Sequence, residues 1–105
     1  MSRHDSERRR SPRAPLLREV KIHGNGKTSD GRIVDLSVTG AFLETSEMFN
    51  LDDNCQLSFT LPGGISLTVQ CIICYLHSDL GIGVEFNKLS PEDSDRIKDC
   101  VASLK

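Results

Sequence analysis

The chain has 105 residues, 37% of them hydrophobic and 27% charged, with eight glycines, four prolines and no tryptophan. That length supports one domain around a single core, burying about 60–70% of the surface of the unfolded chain, and excludes two independent domains. No apolar run approaches the roughly 20 residues of a membrane-spanning helix, and the polar opening is no secretory leader, so a cytoplasmic location without membrane insertion is the expectation.

The net charge of −2 conceals a division, because residues 1–21 carry a net +4 and residues 22–105 a net −6. A basic arm precedes an acidic body. The arm, rather than a whole face of the fold, is therefore the part suited to an anion. Its densest stretch, Arg8-Arg9-Arg10-Ser11-Pro12-Arg13, sets four guanidiniums within six residues. Each is permanently charged, planar and able to fork onto phosphate or the O6/N7 edge of guanine, and the same planes stack on purines.

Residues 1–17 are taken as the arm and residues 18–105 as the folded domain. Val20 and Ile22 mark a first strand, ended by the turn residues Gly24-Asn25-Gly26. Arg32 to Leu36 alternates as a second, with Val34 and Leu36 on one face and Ile33 and Asp35 on the other. Extended structure resumes from Ala41 to Thr45. The intervening Asp35-Leu36-Ser37-Val38-Thr39-Gly40 sets a carboxylate, a hydroxyl and a glycine at a strand end. Aspartate accepts from paired N–H donors such as guanine N1 and N2, the serine can bond phosphate or brace the turn, and the glycine admits close backbone approach. Taken alone, the same pattern also suits an ordinary Asx or Ser turn.

Residues 46–53 lack a period, and Met48, Phe49 and Leu51 there suit the plug of a barrel end or a partner contact. Cys55, Leu57, Phe59 and Leu61 alternate with polar residues as a fourth strand, and Pro62-Gly63-Gly64 turns the chain into a fifth, with Ile65, Leu67, Val69, Cys71, Ile73 and Tyr75 in one phase. After Ser78-Asp79, the residues Ile82, Val84 and Phe86 alternate with Gly81, Gly83 and Glu85. Six short strands joined mostly by tight turns predict an antiparallel barrel or sandwich. The period then changes: Ser90 offers an N-cap, Pro91 the first helical position, Glu92 and Asp93 first-turn acids, and Asp93, Ile97, Cys100, Val101 and Leu104 one stripe of a C-terminal helix.

Chemistry beyond binding finds little support. Cys71 and Cys74 match C-x-x-C, but strand residues three apart face opposite sides and Ile72-Ile73 supplies no turn, so neither a metal nor a dithiol site is expected. His4, His23 and His77 stand in no nucleophile or metal pattern, and Gly81-Ile82-Gly83 lies in a strand rather than at a helix start. No enzyme is predicted, and no cofactor.

An arginine pair spaced R-x-x-x-R, here Arg9 and Arg13 with Arg8 before it, followed about 20 residues later by D-x-S-x-x-G, here Asp35, Ser37 and Gly40, resembles the PilZ family of bacterial cyclic di-GMP receptors. Gly81 to Phe86 is similar to that family's closing strand. The resemblance implies a mainly all-β fold, a six-stranded antiparallel barrel with a C-terminal helix and a flexible basic arm. It implies further that Arg9 and Arg13 clamp cyclic di-GMP, that Asp35 and Ser37 hold it against the barrel, and that Gly40 keeps the turn. The arm would wrap the barrel on binding and pass the signal to a downstream protein partner, from a monomer or homodimer. Arg8, a third stacking cation, favours an intercalated ligand dimer. Two other functions compete: an adaptor of the same fold that binds no nucleotide, and a barrel for single-stranded nucleic acid. The second needs exposed stacking rings, whereas Phe59, Tyr75 and Phe86 fall on the inward phase.

Overall fold

The computed structural model describes residues 14–77 and 79–104; Arg8, Arg9 and Arg13 lie outside the described residues. Six strands, β1 (Ala14–Gly24), β2 (Lys27–Leu36), β3 (Gly40–Glu44), β4 (Asn54–Leu61), β5 (Ile65–His77) and β6 (Gly81–Asn87), precede one helix, α1 (Pro91–Leu104). They close in the order β1-β2-β3-β6-β5-β4, every neighbouring pair antiparallel. Closure leaves no open sheet edge among the described strands and encloses the apolar side chains within the barrel.

The alternation in β4 produces the simplest wall. Cys55, Leu57, Phe59 and Leu61 are buried, and Cys71, Val69, Leu67 and Ile65 stand opposite them in unbroken register. Ile65 is the exception, exposed beside the Pro62-Gly63-Gly64 turn at the barrel rim. The β1–β2 hairpin turns on Asn25 and Gly26, whose φ values of 55° and 75° suit the tight turn that matches strand twist. Strand β1 already begins at Ala14, so residues 14–17, assigned from sequence to the arm, are part of the barrel wall; Ala14 and Leu16 are core residues.

Bulges shift the phase in two other strands. Ile33 pairs with Leu43 and Asp35 with Phe42, which leaves Val34 as an extra residue. Ile33 and Leu36 therefore both face the core, and Ile33 is not on the Asp35 face as simple alternation predicted. In β5, Ile73 pairs with Val84 and Tyr75 with Gly83, so Cys74 is the extra residue and Tyr75 turns outward instead of inward, 40% exposed.

Phe49 plugs one end of the barrel, while Met48 and Leu51 beside it stay exposed. The helix covers core residues with its apolar stripe, Ile97, Cys100 and Val101 being buried and Leu104 packed against the core. Its start is as the sequence suggests, since Ser90 Oγ accepts the Asp93 N–H at 3.1 Å.

Candidate functional site

Strand register assembles the site. Pro15 pairs with Asp35, Asp35 with Phe42, Phe42 with Gly83 and Gly83 with Tyr75, a row of partners crossing β1, β2, β3, β6 and β5. Its side chains stand on the outer wall, because the flanking Leu36, Ala41, Leu43, Ile82 and Val84 fill the interior. Asp35 and Phe42 are half-buried. The Phe42 and Tyr75 rings lie 6.4 Å apart at 52°, within the range of an aromatic pair. Gly83 is the floor between them: a Cβ there would approach Tyr75 Cβ to 3.0 Å, and the Tyr75 ring lies against the bare backbone. His77 adds a third ring, 6.1 Å from Tyr75 and edge-on to it. The next outer row is charged, with Arg32 and Glu44 paired at 3.9 Å.

Two residues after Asp35 the chain turns, and here the serine braces. Ser37 is fully buried; its Oγ accepts the N–H groups of Thr39 and Gly40, each at 3.2 Å, and its hydroxyl donates to the Gly40 carbonyl at 3.2 Å or to Thr39 Oγ1 at 3.1 Å. The Ser37 N–H also donates to the Gly40 carbonyl, at 2.8 Å. Of the two roles open to this serine in the sequence, the geometry supplies the turn brace. Gly40 is required by proximity and not by dihedral angle, since a Cβ would fall 2.1 Å from the Val84 carbonyl oxygen of β6.

The same register sets the start of β1 at this point. Ala14, the first described residue and the one after Arg13 in the sequence, pairs with Leu36, one residue from Asp35. A carboxylate and two aromatic rings therefore share one wall, near the strand end where β1 begins. Such a set suits a planar ligand with N–H donors, because aromatic rings offer stacking faces and a carboxylate accepts from N–H groups. Asp35 and Gly40 were legible in the sequence, but Phe42, Gly83 and Tyr75 were not. The bulge at Cys74 turns Tyr75 outward and a single sequence does not mark it, whereas Phe42 and Gly83 follow the plain alternation of β3 and β6, whose pairing only the fold supplies.

Other features do not compete with this wall. A groove of about 770 Å³ lies where β1, β2, β4 and β5 meet, but it contains no motif residue. Several of its polar groups are engaged with one another, Lys21 with Asp30, Ser58 with Thr68 and Thr60 with Ser66, and the Asp30 carboxylate raises the Lys21 ammonium above its ordinary pKa. Cys55 and Cys71 oppose each other inside the barrel, where contact with Cys55 and burial push the Cys71 thiol far up, so it stays protonated. Among the described residues no group of three or more His, Cys, Asp or Glu side chains is placed to hold a metal, and no helix is long and apolar enough to cross a membrane.

The fold is similar to that of the Bacillus subtilis inhibitor of motility MotI/DgrA, at a TM-score of 0.81 and 12% identity over 90% of this chain and 49% of that one, so it spans about half that protein's length. It is also similar to the PilZ domain of CeSA from a cellulose-synthesizing bacterium, with a TM-score of 0.67 and 18% identity over 88% of this chain and 96% of that one. The PilZ domain of YcgR from Escherichia coli, solved with c-di-GMP, gives a TM-score of 0.69 and 18% identity over 92% and 91%. At these identities the likeness is one of fold. A search of the curated proteins finds no match. The PilZ domain model matches residues 7–103, from the arm arginines through nearly all of the helix, and on this ground the chain belongs to the PilZ domain family.

Proposed function

We propose that this chain is a cyclic di-GMP receptor that signals through a partner protein, acting as a binding module rather than an enzyme. The observation that carries the proposal is the register that sets Ala14, the residue after Arg13, opposite Leu36 and lines Asp35, Phe42 and Tyr75 along one wall. Membership of the PilZ family and the fold shared with the YcgR domain solved with c-di-GMP support the identity of the ligand.

In this mechanism Arg9 and Arg13 close over the nucleotide, pairing with its phosphates and guanine edges. Asp35 accepts from guanine N–H groups, Phe42 and Tyr75 supply faces for the bases, and Ser37 and Gly40 act from below by holding the turn. Closing the arm over the wall changes the surface offered to a partner, which converts ligand concentration into recognition. Arg8 adds a stacking cation and favours two intercalated ligand molecules per chain.

Isothermal titration calorimetry with cyclic di-GMP tests this. Wild type binds, and Arg9→Ala, Arg13→Ala and Asp35→Ala each lose about one to two decades of affinity, the equivalent of about 1.5–3 kcal/mol for a charge-assisted contact. Folded wild type that shows no heat of binding refutes the proposal. A ratio of one ligand per chain that persists in excess ligand refutes the role given to Arg8.

A further inference from the structure

The end of the barrel opposite the Ser37 turn is formed by three connections, with residues 24–27, 45–53, 77 and 79–81 described, which antiparallel closure brings together. Phe49 seals the core there, yet four large apolar side chains stay in solvent: Met48 is 83% exposed, Leu51 54%, Leu76 42% and Leu80 53%. Hydrogen bonds fix the connections that carry them. The Asn25 side chain donates to the Met48 carbonyl at 3.3 Å, the Asp52 N–H to the Ile73 carbonyl at 2.8 Å, and the Leu80 N–H to the His77 carbonyl at 3.1 Å. Leu51 is thereby held beside the end of β5 that carries Leu76.

Carboxylates stand among these apolar groups. Asp52 and Asp79 are exposed and Asp53 is half-buried, whereas the lysine at this end, Lys27, is already paired with Glu47 at 2.6 Å. We propose that this end of the barrel docks a partner protein through an amphipathic helix whose apolar face is flanked by lysine or arginine. Apolar anchors between carboxylates call for an apolar and basic counterpart. The chain's own residues 1–13 have the charge, but Met1 and Pro12 are their only apolar side chains. A second copy docked about a two-fold axis would set carboxylates against carboxylates. As the output surface of a receptor this rests on the proposed function, since Tyr75 of the ligand wall is followed directly by Leu76 on the same strand.

The test uses the full chain and a fluorescent helical peptide of leucine and lysine, with a scrambled peptide of equal composition and a leucine–glutamate counterpart as controls. Anisotropy gives affinity and amide NMR shifts give location. The leucine–lysine helix binds, and shifts are confined to the three connections and the end of β5. Leu51→Ser with Leu80→Ser, and Asp52→Asn with Asp79→Asn, each weaken it about tenfold. Asparagine is chosen because Asp52 and Asp79 both have φ of 70°, which it tolerates. No binding, equal binding by either control, shifts elsewhere, or dilution-dependent shifts of these residues without peptide would each overturn the proposal. Cyclic di-GMP titration of the same proteins separates the two claims. Wild type that binds peptide but no nucleotide sinks the receptor alone, and the converse sinks the docking surface alone.

Discussion

Replacing Ser37 with alanine separates a braced turn from a direct ligand contact. The hydroxyl accepts two N–H groups, and one of them, on Gly40, sits in a buried residue that water does not reach. Removing the acceptor costs the net value of one hydrogen bond and leaves a buried donor without a partner, together about 2 kcal/mol. For a domain of this size that lowers Tm by about 8–16 °C. Urea denaturation followed by circular dichroism reads the loss as a fall in midpoint at unchanged slope. Cyclic di-GMP affinity falls with it, because Asp35 and the root of the arm are both hung on this turn. Asp35→Ala is the contrast, since it loses affinity while the Ser37 brace of the turn stays in place. If Ser37→Ala keeps wild-type stability while binding disappears, the hydroxyl touches ligand, and the bracing role is wrong.

Three other outcomes follow from the same contacts. Tyr75 is the only tyrosine and there is no tryptophan, so its time-resolved emission reports on the ligand wall alone; cyclic di-GMP shortens the lifetime in wild type, and an unchanged lifetime at saturation would remove Tyr75 from the site. Iodoacetamide modifies half-buried Cys74 first and spares Cys55, Cys71 and Cys100 until the chain unfolds; mass spectrometry showing early labelling of Cys71 would contradict its place inside the barrel. The Lys27 and Ser29 contacts hold the Glu47 carboxyl below its ordinary pKa, so their stabilisation is complete above the unfolded value of about 4.3 and disappears as pH falls through the lower folded one. The Tm gap between wild type and Glu47→Gln accordingly closes in acid, and a gap that persists there would show that it does not come from the charge.

Sequence periodicity determined the six strands, their turns, the helix and its cap, because each rests on contacts within a few residues. The division of charge and the two motifs likewise singled out Asp35 and Gly40 before any fold was known. Where alternation runs unbroken, as from Cys55 to Leu61, it also assigned the buried face. It failed at Ile33 and Tyr75, where one inserted residue, Val34 or Cys74, reverses the phase. Such a bulge is set by how partner strands stagger around a closed barrel, and no neighbour in sequence records it. Tertiary structure alone therefore joined Phe42 and Tyr75 across Gly83, turned Ser37 inward as a brace, and gathered three distant connections into an apolar, acidic end. Short-range chemistry chose the strands, and closure of the barrel chose which of their residues share the outer wall.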